Sequence, residues 1–158
     1  MTNMLIRQPK GERHSMLYDG TEVTDLNAIW WIEENQRIKA LPITSKHHFI
    51  TLGSKTRNGG VVHTATSGRT IDGISVALVG DEVRYPNGEI AVITSGAGAA
   101  SIYDGKCLAV EGSHVSNGDV IETSNQKGHG MVIRAGMPPI PGFLEEGYIP
   151  PSLEASLA

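Results

Sequence analysis

Several features common in proteins are scarce in this sequence, and each scarcity excludes a class of function. The sequence contains one cysteine, Cys107, which excludes an intrachain disulfide and a zinc module built from paired cysteines. The net charge of −4 argues against a nucleic-acid-binding protein and against a polybasic membrane-surface protein. No run approaches the roughly 18 apolar residues of a membrane-spanning helix, and the charged first residues do not fit a secretory signal peptide.

Glycine, in contrast, is abundant and unevenly distributed. Fifteen of the 19 glycines lie between Gly53 and Gly136, and five of the eight prolines follow Gly136. This composition divides the chain into an N-terminal extension (1–50), a glycine-rich middle (51–135) and a Pro-rich tail (136–158). Neither extension has the length expected of an independent toxin domain.

The middle segment predicts short strands joined by tight turns. Asn-Gly and Asp-Gly dipeptides favour such turns because both central residues of a type I′ turn need a positive φ. Here they separate short β-branched runs, which leave no room for long helices. The predicted turns are Asp72-Gly73, Asn87-Gly88, Asp104-Gly105 and Asn117-Gly118.

Two patterns recur at nearly equal spacing within this segment. An Asn-Gly step begins at positions 58, 87 and 117, and a second set of glycines recurs once at a constant interval. Units this short cannot bury a hydrophobic face alone, so they must pack on each other. The repeat predicts a mainly β fold with pseudo-threefold symmetry, against the alternative of an ordinary β-sandwich with coincidental spacing. The residues concerned are Asn58, Gly59, Gly60, Asn87, Gly88, Asn117 and Gly118, and the pairs Gly73 with Gly105 and Gly80 with Gly112.

The order of motifs over residues 53–124 resembles that of a PAAR-repeat domain. GSKTRNGG (53–60) matches the pattern GxKTxxGG, and TIDGISVALVGDEV (70–83) matches TIDGxxVAxVGDxV. A P-x-G turn from Pro86 to Gly88 and a DGKxxA motif from Asp104 to Ala109 follow. The resemblance covers less than half of the chain and rests on the order of several motifs.

The resemblance implies a small cone of β-hairpins with a structural role. Such a cone sits on the blunt end of a trimeric β-helical spike, of the VgrG or phage-spike type, in contractile injection machines. One copy per trimer sharpens the spike for envelope piercing, and extensions of the cone can carry effectors. The chain would be made in the bacterial cytoplasm and lie at the tip of a virion tail or secreted particle. A monomer that caps a trimer needs three similar edges, which agrees with the predicted repeat.

The resemblance also implies where a zinc ion is usually held, in the turns near the apex of the cone. The corresponding residues here are Asn58, Tyr85, Asn87 and Asn117, none of which is a good zinc ligand. No cofactor is therefore predicted. The expected replacement is an asparagine cluster whose side chains hydrogen-bond the turn backbones.

No catalytic constellation emerges from the remaining residues. The segment SGAGAAS (95–101) lacks the following helix that a dinucleotide-binding loop requires. Asp72 and Asp104 are explained better by turn chemistry than as paired acids. Ser113 and His114 are sequence neighbours, which disfavours the hydrogen bond of a catalytic serine–histidine pair. The sequence therefore predicts a protein that is not an enzyme.

The two extensions hold the remaining candidates for partner binding. Residues 25–41 predict either an amphipathic helix capped by Asp25 or a β-hairpin. Trp30 and Trp31 are the only tryptophans, and they are expected to anchor this segment on the cone or on a partner. The Pro-rich tail is predicted to be extended and to lie along the cone or an adjacent subunit.

The function favoured by the sequence is a structural spike tip. One alternative is an adaptor that tethers an effector, or a neighbouring baseplate protein, to the spike. A further alternative is a small β-rich carbohydrate-binding or enzymatic module. The sequence leaves open whether the machine is a phage tail, a type VI secretion system or an extracellular particle, and which residues contact the spike.

Overall fold

The protein is represented by a computed structural model that describes residues 15–151. The predicted N-terminal extension and tail include residues 1–14 and 152–158, which lie outside the described residues. The chain divides into two compact units. The smaller unit runs to Thr44 and includes Arg134–Met137, and the larger unit comprises Ser45–Ile133 and the residues from Pro138 onward.

The smaller unit includes a hairpin and a helix. Strands β1 (Met16–Tyr18) and β2 (Thr21–Val23) pair in antiparallel fashion. Helix α1 (Leu26–Lys39) begins after Asp25, whose carboxylate accepts hydrogen bonds from the backbone N–H groups of the first turn. The helical interpretation of residues 25–41 is thus confirmed, and the alternative hairpin there is wrong.

The remaining strands are short, as the frequent glycines require. They are β3 (Ile43–His48), β4 (Lys55–Thr56), β5 (Val61–Val62), β6 (Thr70–Ile71), β7 (Ile74–Ser75), β8 (Glu82–Arg84), β9 (Ile90–Val92), β10 (Ile102–Tyr103), β11 (Lys106–Cys107), β12 (Ile121–Thr123) and β13 (Gly130–Arg134). A short 3-10 turn occupies Gly98–Ala100. No helix among residues 15–151 has the length and hydrophobicity needed to span a bilayer.

Three hairpins close into a cone in the larger unit. Hairpin 1 is β4–β5, hairpin 2 is β8–β9, and hairpin 3 spans residues 113–123 and ends in β12. Strand β5 pairs with β8, Ile93 bridges to Val115, and β12 pairs with β4. Each hairpin therefore contacts both of the others, so the sheet closes on itself.

A ring of three backbone hydrogen bonds marks the pseudo-threefold axis. The N–H of Ile50 donates to the carbonyl of Ala109 (2.9 Å), that of Ala109 to Ala77 (3.0 Å), and that of Ala77 to Ile50 (2.9 Å). All three residues are fully buried. The predicted mainly β, pseudo-threefold fold is therefore confirmed, and each repeat contributes one residue to the ring.

The core of the cone is stacked on this ring in layers of three equivalent residues. The second layer is Val62, Ile93 and Ile121, which are all buried. Each of these residues donates its N–H to the carbonyl of a residue just above the ring, at 2.9 Å in all three cases; the acceptors are Ser54, Asp81 and Ser113 in turn. Burial of each layer side chain contributes about 1.5–3 kcal/mol, and no hairpin can bury its own layer residue without its neighbours.

Three two-stranded arms, β6–β7, β10–β11 and β3–β13, lie below the ring. Ring residues point into the cone, whereas their sequence neighbours point the opposite way. Val76, Leu78 and Leu108 accordingly form a second hydrophobic cluster, with Phe49 and Ile71 packed against it. The end of the cone that carries the arms and this cluster is called the base.

The third arm was not predicted, because its strands are far apart in sequence. Its equivalence to the other two arms is visible in their hydrogen bonds. Phe49 N–H donates to the carbonyl of His129, as Val76 does to Arg69 and Leu108 to Ser101. The third repeat unit, of which the sequence showed only the start, is thus completed by β3 and β13, which precede and follow the three hairpins in the sequence.

From Pro138 onward, the described part of the tail packs within the larger unit. Phe143 forms a parallel bridge with Gly96, and Leu144 N–H donates to the Gly96 carbonyl at 2.8 Å. The Phe143 ring also meets the His47 ring edge-on, with centroids 5.0 Å apart. Gly98 permits this approach, because a Cβ there would overlap the backbone of the tail.

Candidate functional site

The apex of the cone, formed by the turns of the three hairpins, contains most of the residues predicted from the sequence. Asn58, Tyr85 and Asn117 each lie four residues beyond equivalent positions next to the ring (58−54, 85−81 and 117−113). They therefore stand at the same level of the cone.

Hairpin 2 is longer than its two counterparts, as the hydrogen bonds that close the hairpins show. In hairpin 2 the N–H of Gly80 donates to the carbonyl of Ile93 at 2.8 Å. The equivalent bonds in the other two hairpins join residues that are closer in sequence, Gly53 with Val62 and Gly112 with Ile121. The Asn87 turn of hairpin 2 accordingly lies beyond the level of Asn58 and Asn117.

The carboxylate of Asp119 joins the three hairpins at that level. Its Oδ2 accepts a hydrogen bond from the Tyr85 hydroxyl of hairpin 2 at 2.6 Å. Its Oδ1 accepts from the backbone N–H of Asn58 in hairpin 1 at 3.2 Å and from Val120 in hairpin 3 at 2.8 Å. Asp119 is 2% exposed, so these bonds form away from bulk water.

Asn117 completes the arrangement from within hairpin 3. Its Oδ1 accepts from the backbone N–H of Asp119 at 3.1 Å and lies 3.4 Å from the Tyr85 hydroxyl. Asn87 acts within its own turn, where its Oδ1 accepts from Glu89 N–H at 2.9 Å. The acceptor that the three hairpins share is therefore Asp119, which the sequence reasoning did not single out.

The titration behaviour of Tyr85 and Asp119 reflects burial and hydrogen bonding. Burial raises the pKa of the Tyr85 hydroxyl, and its hydrogen bond to Asp119 adds to the effect. Burial also acts to raise the pKa of Asp119, but hydrogen bonds from Thr56, Tyr85 and the backbone outweigh it, so the pKa of this carboxyl is lowered. Asp119 is thus charged at neutral pH and serves as a strong acceptor.

The predicted turn residues occupy conformations that their types allow. The glycines of the three apex turns have φ of 88–89°, and Pro86 precedes the second of these turns. In the arms, Asp72 and Asp104 both have φ of 53°, a region that Asp tolerates better than most side chains. Seven of the predicted glycines have positive φ, whereas the φ of Gly60 lies outside the left-handed region. The seven are Gly59, Gly88 and Gly118 at the apex, Gly80 (100°) and Gly112 (98°) beside the ring, and Gly73 (79°) and Gly105 (76°) in the arms.

The tryptophans lie on α1 in the smaller unit. Their rings pack edge-on with centroids 5.5 Å apart. Trp31 is 59% exposed, whereas Trp30 is partly buried. Trp31 is therefore available to a partner.

The donor set at the apex does not fit zinc. The side chains present are amides, a phenol and one carboxylate, whereas structural zinc sites use four thiolate or imidazole ligands. Among residues 15–151 no group of three His, Cys, Asp or Glu side chains is placed to hold a metal ion. Asp119 is already fully engaged with hydrogen-bond donors.

A second polar centre, at Glu111, was also missed by the sequence reasoning. Its Oε1 lies 2.8 Å from His48 Nδ1, and its Oε2 accepts from Ser124 N–H and from Lys127 Nζ, both at 2.9 Å. Burial acts to raise the pKa of Glu111, but these hydrogen bonds outweigh it and lower the pKa to about 2. The side chain fastens β3 to the segment that follows β12.

The serine–histidine contact in the cone does not form a nucleophilic site. His114 Nδ1 lies 2.8 Å from the hydroxyl of Ser95, while the hydroxyl of its neighbour Ser113 accepts from Val110 N–H. Ser95 is 1% exposed, so a substrate cannot reach its oxygen without local opening. This pair serves to connect hairpin 3 to the segment after hairpin 2.

The three pseudo-equivalent β-hairpins form a closed cone, and this architecture defines the class of protein. Residues 52–123 match the family model described as PAAR motif. This stretch is a PAAR-motif region, and the resemblance recognised in the sequence is confirmed. The search of curated proteins and the search of solved structures each gave no significant match. The PAAR motif supports a spike-associated role in contractile injection systems, and the PAAR family is structural rather than enzymatic.

Proposed function

We propose that this chain caps a trimeric β-helical spike, with the base on the spike and the apex pointing outward. One chain binds each trimer, sharpens it, and is carried at the tip of the particle as the envelope is pierced. The action is mechanical and adhesive, without turnover. The observation that carries the proposal is the hydrogen-bonded ring of Ile50, Ala77 and Ala109, because a threefold partner needs three equivalent contacts from one chain.

The base has the chemistry expected of such a contact. In the described structure β6–β7 and β10–β11 are two-stranded, so their outer edges can pair with strand ends of a spike. Ile102 and Tyr103 on the second arm are 41% and 36% exposed. Apolar side chains beside open strand edges favour a protein partner.

The test is an affinity pull-down from the native source with the tagged full chain, followed by native mass spectrometry. The expected result is a trimeric β-helical spike protein with one copy of this chain per trimer. Recovery of an enzyme complex instead, with no spike protein, would contradict the proposal.

A matched pair of variants locates the contact surface. Ile102→Glu places a charge at the base, and Ile90→Glu places one on hairpin 2 near the apex, where Ile90 is 48% exposed. Ile102→Glu is expected to weaken spike binding by roughly tenfold or more, since it buries an unpaired charge in the contact. Ile90→Glu is expected to bind like the wild type. If Ile90→Glu weakened spike binding and Ile102→Glu did not, the spike would contact the apex and the proposed orientation would be rejected.

We further propose that α1 provides an attachment point for an effector or a neighbouring baseplate protein. Trp31 and Leu26 on this helix are 59% and 50% exposed, and exposed aromatic residues concentrate binding energy. Trp31→Ala should lose such a partner in the pull-down while retaining the spike. Loss of both partners, or of neither, would argue against this role.

A further inference from the structure

We infer that the apex of the cone is held together by a carboxylate clasp centred on Asp119 and needs no metal ion for its rigidity. The clasp is defined as the Asp119 side chain with its donors Asn58 N–H, Tyr85 hydroxyl and Val120 N–H. One side chain thereby joins all three hairpins.

The geometry explains why a single carboxylate suffices. Its two oxygens accept from three hairpins at 2.6–3.2 Å, which is within the range of good hydrogen bonds. Hydrogen bonds to a charged acceptor are roughly twice as strong as neutral ones. The 2% exposure of Asp119 excludes water that would otherwise compete for the donors.

The clasp also depends on the unequal lengths of the hairpins. Because hairpin 2 continues beyond the level of Asn58 and Asn117, it presents a strand-end side chain there rather than a turn. Tyr85 is long enough to reach across to Asp119 from that position. Its ring also packs within the core, since Tyr85 belongs to the buried cluster inside the cone.

The first experiment measures metal dependence on the purified full chain. Elemental analysis is expected to find no stoichiometric metal, and the melting temperature is expected to be the same with and without EDTA. Stoichiometric zinc, together with a fall in melting temperature on chelation, would overturn the inference.

The second experiment disrupts the clasp with conservative variants. Tyr85→Phe removes one hydroxyl, and Asp119→Asn removes the charge; each should lower the melting temperature by several degrees. Their effects should be non-additive in the double variant, because both remove the same bond. Glu89→Gln and Tyr103→Phe are the matched controls, since both residues are exposed, and neither should shift the melting temperature. Strict additivity, or equal shifts in the controls, would reject the clasp.

Hydrogen exchange gives a local readout that a general loss of stability would not imitate. In Tyr85→Phe, which retains the fold most readily, the Asn58 and Val120 amides should exchange roughly tenfold faster than in the wild type. The three ring amides should be much less affected. Equal acceleration at apex and ring would mean that the Tyr85 hydroxyl acts on the whole cone and not through a clasp.

Discussion

Gly60 shows how closely the hairpins approach one another near the apex. A Cβ at this position would lie 2.7 Å from Val83 Cγ1, 2.8 Å from Thr56 Oγ1 and 2.8 Å from Tyr85 Cε2. Its φ lies outside the left-handed region, so the requirement for glycine is one of space and not of backbone conformation.

Gly60→Ala is therefore expected to destabilise the protein by about 1–3 kcal/mol through overpacking. Gly128→Ala is the matched control, because a Cβ there would meet its nearest neighbour, Asp72 Oδ2, at 3.6 Å. The free energy of unfolding in urea should fall for the first variant and remain nearly unchanged for the second. Similar values for both would show that the apex relaxes around an added methyl group.

At this scale the sequence predicted turns better than contacts between turns. Asp72-Gly73 and Asp104-Gly105 are local signals, since their chemistry depends on the dipeptide itself. The position of Asp119 depends on three hairpins meeting, and the dipeptide Asn117-Gly118 gave a sufficient local explanation for its surroundings. The available signal was Asp119 itself, a charged residue at the position where the first repeat has Gly60.

Among the elements, β3 is fastened by the side chain of Glu111. The carboxylate binds His48 on that strand, and on the other side it binds Ser124 N–H and Lys127. His48 and Lys127 are the charged or titratable groups in direct contact with it in the described structure. The third arm is thus held by the side-chain contacts of Glu111, whereas the other two arms are closed by tight turns.

Acid should weaken this fastening. The pKa of Glu111 in the folded protein is about 2, below the ordinary 4.5, so its contribution to stability is complete above about pH 4.5 and is lost as the pH falls towards 2. The upper limit of that contribution is roughly 3.5 kcal/mol, since one pKa unit corresponds to about 1.4 kcal/mol. Urea unfolding at several pH values between 6 and 2 measures it.

Two variants separate Glu111 from other carboxylates in that measurement. Glu111→Gln should show a flatter dependence of unfolding free energy on pH below 4.5. Glu122→Gln, which removes an exposed carboxylate paired with Arg57, should retain the steep dependence of the wild type. An unchanged slope in Glu111→Gln would assign the acid sensitivity to another group.

Elements formed by interactions within one segment could be predicted from the sequence, whereas elements formed by distant segments could not. Helix α1 was one of two predicted alternatives for its segment, because the Asp25 cap and the apolar spacing act within that segment. The β3–β13 arm was not predicted, because β3 precedes the three hairpins in the sequence, β13 follows them, and no turn dipeptide joins the two strands. Long-range pairing of this kind leaves no local signal in one sequence.

The three described hairpins of the larger unit form a closed cone, and none of them is expected to be stable without the other two. The second layer of its core takes one residue from every hairpin, and the ring links the segments that precede the three hairpins. An isolated two-stranded hairpin is at best marginally stable in water. The cone should therefore unfold as one cooperative body.

Native-state hydrogen exchange at increasing denaturant tests this cooperativity. The amides of Ile50, Ala77 and Ala109 should converge on one opening free energy, equal to that of global unfolding. Amides of the arm turns, such as Gly73 and Gly105, should open at lower free energy. A distinctly lower value at one ring amide would identify a hairpin that detaches separately.

The third arm differs from the other two, and this difference affects how the cone can be oriented on a symmetric partner. Two arms are closed by nearly identical turns, and the third is made of the strands through which the chain passes out of the larger unit and returns to it. The proposed trimeric spike would offer three docking positions of equal energy to such a body, which would favour binding by an entropy worth about 0.6 kcal/mol, the equivalent of a threefold gain. Particles would then carry the odd arm over each spike subunit in equal numbers, and threefold averaging of their images would erase it.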